Sequence, residues 1–192
     1  MLETRHAARR GPALDGPGLH PAAEARGVAF RVLPPDARFS LRLDGNAVAS
    51  LGAVAGFPVD MAINRHAATG KSRAARLGPD EWLLLGPEAD GDLIGAEIAA
   101  ALGTTFHALV DIGHRHVAFE VSGRHAADAL NAGCPLDLSD TAFPTGSATR
   151  TLLGKAEIVL LRLDDAPTFR VECWRSFAPY VHAFLGEAAL GL

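Results

Sequence analysis

The strongest constraint on the fold is an internal repeat. Residues 38–60, RFSLRLDGNAVASLGAVAGFPVD, line up with residues 116–138, HVAFEVSGRHAADALNAGCPLDL, with one residue inserted in the first copy. In each copy an alternating run ends at a glycine (Gly45, Gly123) and an alanine-rich segment follows. A second glycine (Gly56, Gly133) precedes Phe-Pro-Val-Asp or Cys-Pro-Leu-Asp, so that Pro58 matches Pro135 and Asp60 matches Asp137. Further on, LGPDEWLLL (77–85) resembles LGKAEIVLL (153–161), and each copy leads to an amphipathic helix, near 91–102 and near 176–187. The preserved order favours duplication. The chain therefore reads as a single α+β domain over 27–192, built from two similar halves of about 27–104 and 105–192, each an antiparallel sheet flanked by helices. Residues 1–26, rich in Gly, Pro, Ala and Arg without an apolar period, read as a flexible arm.

Local physics supports each copy. Phe39, Leu41 and Leu43 alternate with polar residues, as do Val117, Phe119 and Val121 with polar or small ones, which is the period of a half-buried strand. Gly123 permits a tight turn out of its strand. Gly133 sits where a helix end favours left-handed geometry, and Pro135 stops the helix from resuming. Ser176 is placed to cap the last helix, whose apolar stripe is Phe177, Tyr180, Val181, Phe184 and Leu185.

The composition excludes several classes. A net charge of −4 gives no basic excess for a phosphate backbone, so nucleic acid is not an expected partner. The apolar runs, such as Trp82–Leu85 and Ile158–Leu161, fall far short of the roughly 20 residues that span a bilayer. A basic patch at Arg5, Arg9 and Arg10 is followed by no apolar stretch, so no secretory signal is expected. Two cysteines cannot build a disulfide framework, and a reducing cytoplasmic compartment is the simplest home.

Few residues point to chemistry. Cys134 is matched by Phe57 in the other copy, which suits a small buried apolar site better than a nucleophile. Cys173, in the alternating run FRVECW, reads as structural. His114 and His116, with Asp111 nearby, have the spacing of a metal-binding pair on an extended segment, against two exposed turn histidines on the plain reading. The acids Asp80-Glu81, Asp137, Asp140 and Asp164-Asp165 sit at expected turns, where acids usually cap. Glycine-rich phosphate loops are missing. In WRSFAPY, Trp174, Arg175 and Phe177 are residue types enriched among interface anchors.

With these stretches in view, the chain resembles the gamma subunit of heterotetrameric sarcosine oxidase. The carrying residues are GPDEWLLLGP (78–87), NAGCPLDLSDTAFPTG (131–146), TRTLLGKAEIVLLR (149–162) and FRVECWRSFAPYVHAFL (169–185). LVDIGHRHVAFEVSGRHAADAL (109–130) is similar, more weakly, to folate-binding aminomethyltransferases. There Asp111 and His114 match, Gly113 replaces a serine, and a family acid pair is reduced to Glu157.

The resemblance implies the aminomethyltransferase folate-binding fold and a non-catalytic, structural subunit that binds no cofactor or metal itself. Its partners would be the alpha, beta and delta subunits of a complex that oxidises sarcosine to glycine with hydrogen peroxide formation. The one-carbon unit would pass to tetrahydrofolate. FAD, FMN, NAD, tetrahydrofolate and zinc would belong to those partners. Trp174, Arg175 and Phe177, with Phe143 and Pro144 of the AFP stretch, are the candidate partner interface. The rival reading is a stand-alone folate-binding domain with aminomethyl transferase activity, which needs Glu157 or Asp111 facing a pterin-sized pocket.

Overall fold

A computed structural model describes residues 13, 14 and 26–192. The expected arm, 1–26, otherwise lies outside the described residues. The first copy runs β1 (Ala29–Val32), β2 (Asp36–Leu43), α1 (Gly45–Leu51), the short β3 (Ala53–Val54) and β4 (Phe57–Pro58), then β5 (Arg65–Thr69), β6 (Ser72–Arg76), β7 (Glu81–Pro87) and α2 (Gly91–Leu102). The second runs β8 (His107–Asp111), β9 (His116–Ser122), α3 (Ala126–Asn131), β10 (Ala148–Leu153), β11 (Ala156–Arg162), β12 (Thr168–Trp174) and α4 (Ala178–Leu190).

The halves trade their first strands. One antiparallel sheet has the order β5-β6-β7-β2-β8, and the other β10-β11-β12-β9-β1. Read from their outer edges the two orders are equivalent position for position, except that β1 and β8 each sit in the other half's sheet. The exchange ties the halves together through backbone ladders at β1–β9 and β2–β8.

Strand sequence explains the layering. In EWLLLGP and AEIVLLR almost every residue is apolar, and almost every one is buried. Such strands must be covered on both faces. Trp82 and Leu84 pack toward α1 and α2 with Ile94, Ile98 and Leu102, whereas Leu83 and Leu85 meet Val159 and Leu161 of the other sheet. Ile158 and Leu160 pack with Val181, Leu185 and Ala189 of α4. The order of layers is helices, sheet, sheet, helices. At one corner the sheets are stitched: Arg65 bridges to Ser147, His66 N donates to Gly146 O (2.8 Å) and Ala148 N to Asn64 O (3.0 Å).

Three local expectations change. The strand equivalent to β7 is β12, not β11; the true counterpart of LGKA (153–156) is TGKS (69–72), where Gly70 and Gly154 turn the β5–β6 and β10–β11 hairpins with φ of 58° and 59°. Ser176 does not cap the last helix: a 3-10 turn over Arg175–Phe177 precedes it, and α4 begins at Ala178 with no side-chain cap. Gly133 is not left-handed. Its backbone is crowded instead, for a β-carbon there would overlap Phe184 Cζ and stand 2.7 Å from Gly154 N.

Candidate functional site: the cleft between the sheets

The inter-sheet face is apolar toward the stitched corner, with Ala75, Leu83, Leu85, Ile112, Ala148, Val159 and Leu161. Toward β2 and β12 it is ionic. Arg38, 1% exposed, donates from Nε to Glu172 Oε2 at 2.8 Å. The other carboxylate oxygen of Glu172 accepts from Arg170 Nε at 2.8 Å, and Arg170 in turn pairs with Asp36. Asp36 and Arg38 belong to β2, Arg170 and Glu172 to β12, so this ladder joins the two sheets from inside. Burial alone would push the Glu172 carboxyl up; Arg170 and Arg38 overcome it and hold the pKa below the ordinary carboxylate value. Alignment on Gly45 and Gly123 makes His116 the repeat counterpart of Arg38. Burial lowers the His116 pKa, against an upward pull from Glu172.

Beside this ladder lies a hollow of about 310 Å³, whose lining includes Trp82, Ile112, Ile158 and Val159. Its rim is a chain of alternating charges. Glu81 accepts from Arg150 at 2.6 and 3.2 Å and pairs with Arg42 at 3.1 Å, while Glu157 stands 3.5 Å from Arg150 Nε. The hollow also reaches Trp174, 38% exposed, with the Arg115 guanidinium 4.3 Å over its ring and the Phe177 ring 6.1 Å away.

Glu157 therefore faces a hollow, but in a pair with Arg150. Asp111 lines a different, smaller hollow, and its Oδ1 accepts from Gly113 N at 2.7 Å. The two acids that folate chemistry offers as alternatives thus stand at separate hollows. Cys134 is buried in the C-terminal core, as Phe57 is in the N-terminal one, and Cys173 is buried with its thiol pushed up to about 12, chiefly by desolvation. Among the described residues no group of three or more His, Cys, Asp or Glu could hold a metal ion. His114 is exposed, while His116 is half-buried and lines the same hollow as Glu172. The turn acids act as caps and tethers: Asp137 accepts from Ser139 N at 2.9 Å, which holds its carboxyl below the ordinary value, and Asp165 accepts from Thr145 at 2.9 Å.

Of the candidate interface residues, Trp174 is exposed and Arg175, Phe177 and Pro144 are half-buried. Phe143 is in the core, stacked on Phe169 at 6.4 Å, and its carbonyl accepts from Arg162 at 3.1 Å. Arg38, Glu172 and Arg170 were not singled out in the sequence. The usable signal was Arg-x-Glu in FRVEC, which puts opposite charges on one face of a strand whose neighbours are apolar. Among the described residues no helix is long and apolar enough to cross a membrane.

A family model described as sarcosine oxidase, gamma subunit family, matches residues 43–190. The sarcosine oxidase subunit gamma of Arthrobacter sp. is 31% identical over 147 residues, 77% of this chain and 68% of that protein. The same-named subunit of Corynebacterium sp. (strain P-1) is 36% identical over 89 residues, 46% of this chain but only 43% of that relative. Among solved structures, a chain of the heterotetrameric sarcosine oxidase from Corynebacterium sp. U-96, in complex with pyrrole 2-carboxylate, superposes with a TM-score of 0.73 at 25% identity, covering 88% of this chain and 90% of that one. The glycine cleavage system aminomethyltransferase T from Bartonella henselae shares the fold, with a TM-score of 0.65 at 12% identity over 85% of this chain and 48% of that one.

Proposed function

This chain belongs to the sarcosine oxidase gamma subunit family, and from that premise we propose that it is a structural subunit of a cytoplasmic, heterotetrameric sarcosine oxidase. Its work is to bind, as the gamma partner of alpha, beta and delta subunits. In this reading the partners carry the flavins, NAD, tetrahydrofolate and zinc, and this chain supplies binding energy that holds the assembly folded. The observation that carries the proposal is the surface cluster of Trp174, Arg115 and Phe177. An indole is left 38% exposed with a guanidinium over its ring, at the mouth of the cleft. Trp and Arg that lose water together on docking are the residue types that dominate interface energies. The inter-sheet ladder fits the same role, because it spends its charges on rigidity.

Co-expression with the other subunits of the complex tests it. Omitting this chain is expected to remove the four-component complex, seen by native mass, together with sarcosine turnover. Full assembly and turnover without it would overturn the proposal. Within the complex, Trp174→Ala is expected to weaken association by about 2 kcal/mol, or ~30-fold. The melting temperature of the isolated chain should barely move, because the ring is not core.

A further inference from the structure

Among the described residues, strand β8 is an open edge. At the opposite end of the same sheet, β5 is stitched to the neighbouring sheet through Asn64, His66, Gly146 and Ser147. Among the described residues nothing pairs with the outer side of β8. Its register identifies the free groups. Ile112 N donates to Arg38 O, which makes residues 110 and 108 the ones bonded to β2. Antiparallel pairing alternates, so the backbone N–H and C=O of His107, Leu109 and Asp111 point outward, without a partner among the described residues. A proline, a lysine and a bulge, three of the devices that blunt an edge, are missing from FHALVDI (106–112), whose register with β2 is unbroken. Phe106, just before the strand, is 93% exposed and Val110 is 54% exposed.

The side chains specify what fits. One face of the segment presents Phe106, Ala108, Val110 and Ile112, all apolar. The other presents His107, Leu109 and Asp111: a base, an apolar residue and an acid. Reversed, each row complements itself. An antiparallel pairing centred on Leu109 sets His107 opposite Asp111 of the other strand, twice by symmetry. It also sets Val110 opposite Ala108, and Phe106 opposite Ile112. His107 Nδ1 donates to Thr105 O (2.7 Å) and Asp111 Oδ1 accepts from Gly113 N (2.7 Å), so the pair that remains is Nε2 of the imidazolium form donating to Oδ2.

We propose that β8 is a self-pairing edge: outside its complex the chain associates with a second copy about a two-fold axis at Leu109, joining two five-stranded sheets into one. Such an interface is isologous and closes at two copies.

Sedimentation velocity of the full chain across about 1–200 μM tests this. A concentration-dependent doubling of the 20.1 kDa mass is expected, and a monomer at every concentration overturns the proposal. Val110→Lys, at an exposed position, should abolish the dimer without altering circular dichroism. His107→Asp alone and Asp111→His alone should each weaken it about tenfold, since each places like groups opposite one another twice. Mixing the two variants restores both opposite pairs, so the mixture should dimerise about as well as the parent chain. A dimer that survives Val110→Lys, or a mixture no better than either variant alone, means that some other surface or segment makes the contact.

Discussion

Replacing Glu172 with alanine is expected to cost about 3–5 kcal/mol, because it leaves Arg38 and Arg170 buried without their shared counter-ion. In a chain of 192 residues that is a fall of roughly 10 °C in melting temperature. The magnitude follows from where the charge sits. Glu172 is 1% exposed and meets two guanidiniums at 2.8 Å, so removing it leaves both buried cations to Asp36 alone. The control lies on the rim. Arg150, about two-fifths exposed, holds a shorter contact to Glu81 (2.6 Å), yet Arg150→Ala should cost less than about 1 kcal/mol, since solvent screens that pair. Contact length does not decide between the two; burial does. Changing Arg38 to Met and Glu172 to Leu together should cost less than the sum of the single changes, because the pair is then removed whole.

The same residue sets a pH dependence. Its native pKa lies below the ordinary carboxylate value, so its stabilisation is present above that value and lost as pH falls through the native one. His116 acts with the same sign. Its native pKa is lowered, so the unfolded chain takes up the proton first as pH falls below the ordinary histidine value. Urea midpoints of the parent chain should drop from about pH 6 downward and more steeply below about pH 4.5, with the lower phase flattened in Glu172→Gln. An unchanged lower phase in that variant would show that Glu172 is not held ionised.

These residues also mark where sequence reading stops. The β2–α1 and β9–α3 copies were legible because their glycines, prolines and alternating apolar positions recur in order. The runs EWLLL and EIVLL were legible as strands, but their likeness to each other misled. Two strands covered on both faces converge on the same composition whatever their place in the sheet. The Gly-Lys hairpins at 70–71 and 154–155 are the better register mark, since a turn demands a particular backbone and core strands do not. The exchange of β1 and β8 left no local trace, because an edge strand of four or five residues reads the same in either sheet. The buried ladder was hidden for a simpler reason. Arg38, Arg170 and Glu172 alternate with apolar residues just as solvated positions do, and only the stacking of a second sheet over that face removes the solvent. Phe143 shows the converse, an aromatic that looked available for a partner and is already packed on Phe169.

Gly133→Ala is expected to cost about 3 kcal/mol, far more than the helix-end reading of that glycine would suggest. If Gly133 only relieved a left-handed backbone, alanine would cost about 1 kcal/mol. Its φ is not positive, and three elements converge on it instead. The end of α3 brings its carbonyl to Gly154 N at 2.9 Å in the β10–β11 hairpin, and Phe184 of α4 lies over the same point. An added methyl overlaps a ring that can rotate away and also crowds a backbone nitrogen, 2.7 Å off, that cannot. Phe184→Leu should therefore recover only part of the loss in the double variant, with the remainder measuring the backbone contact. Full recovery would place all the strain in the ring. A loss near 1 kcal/mol in Gly133→Ala alone would mean that the hairpin and the two helices give way easily. In the expected case, GCPLDL is read correctly only in three dimensions: its glycine is a contact point between a helix end, a hairpin and the last helix, and its cysteine fills the space beside them.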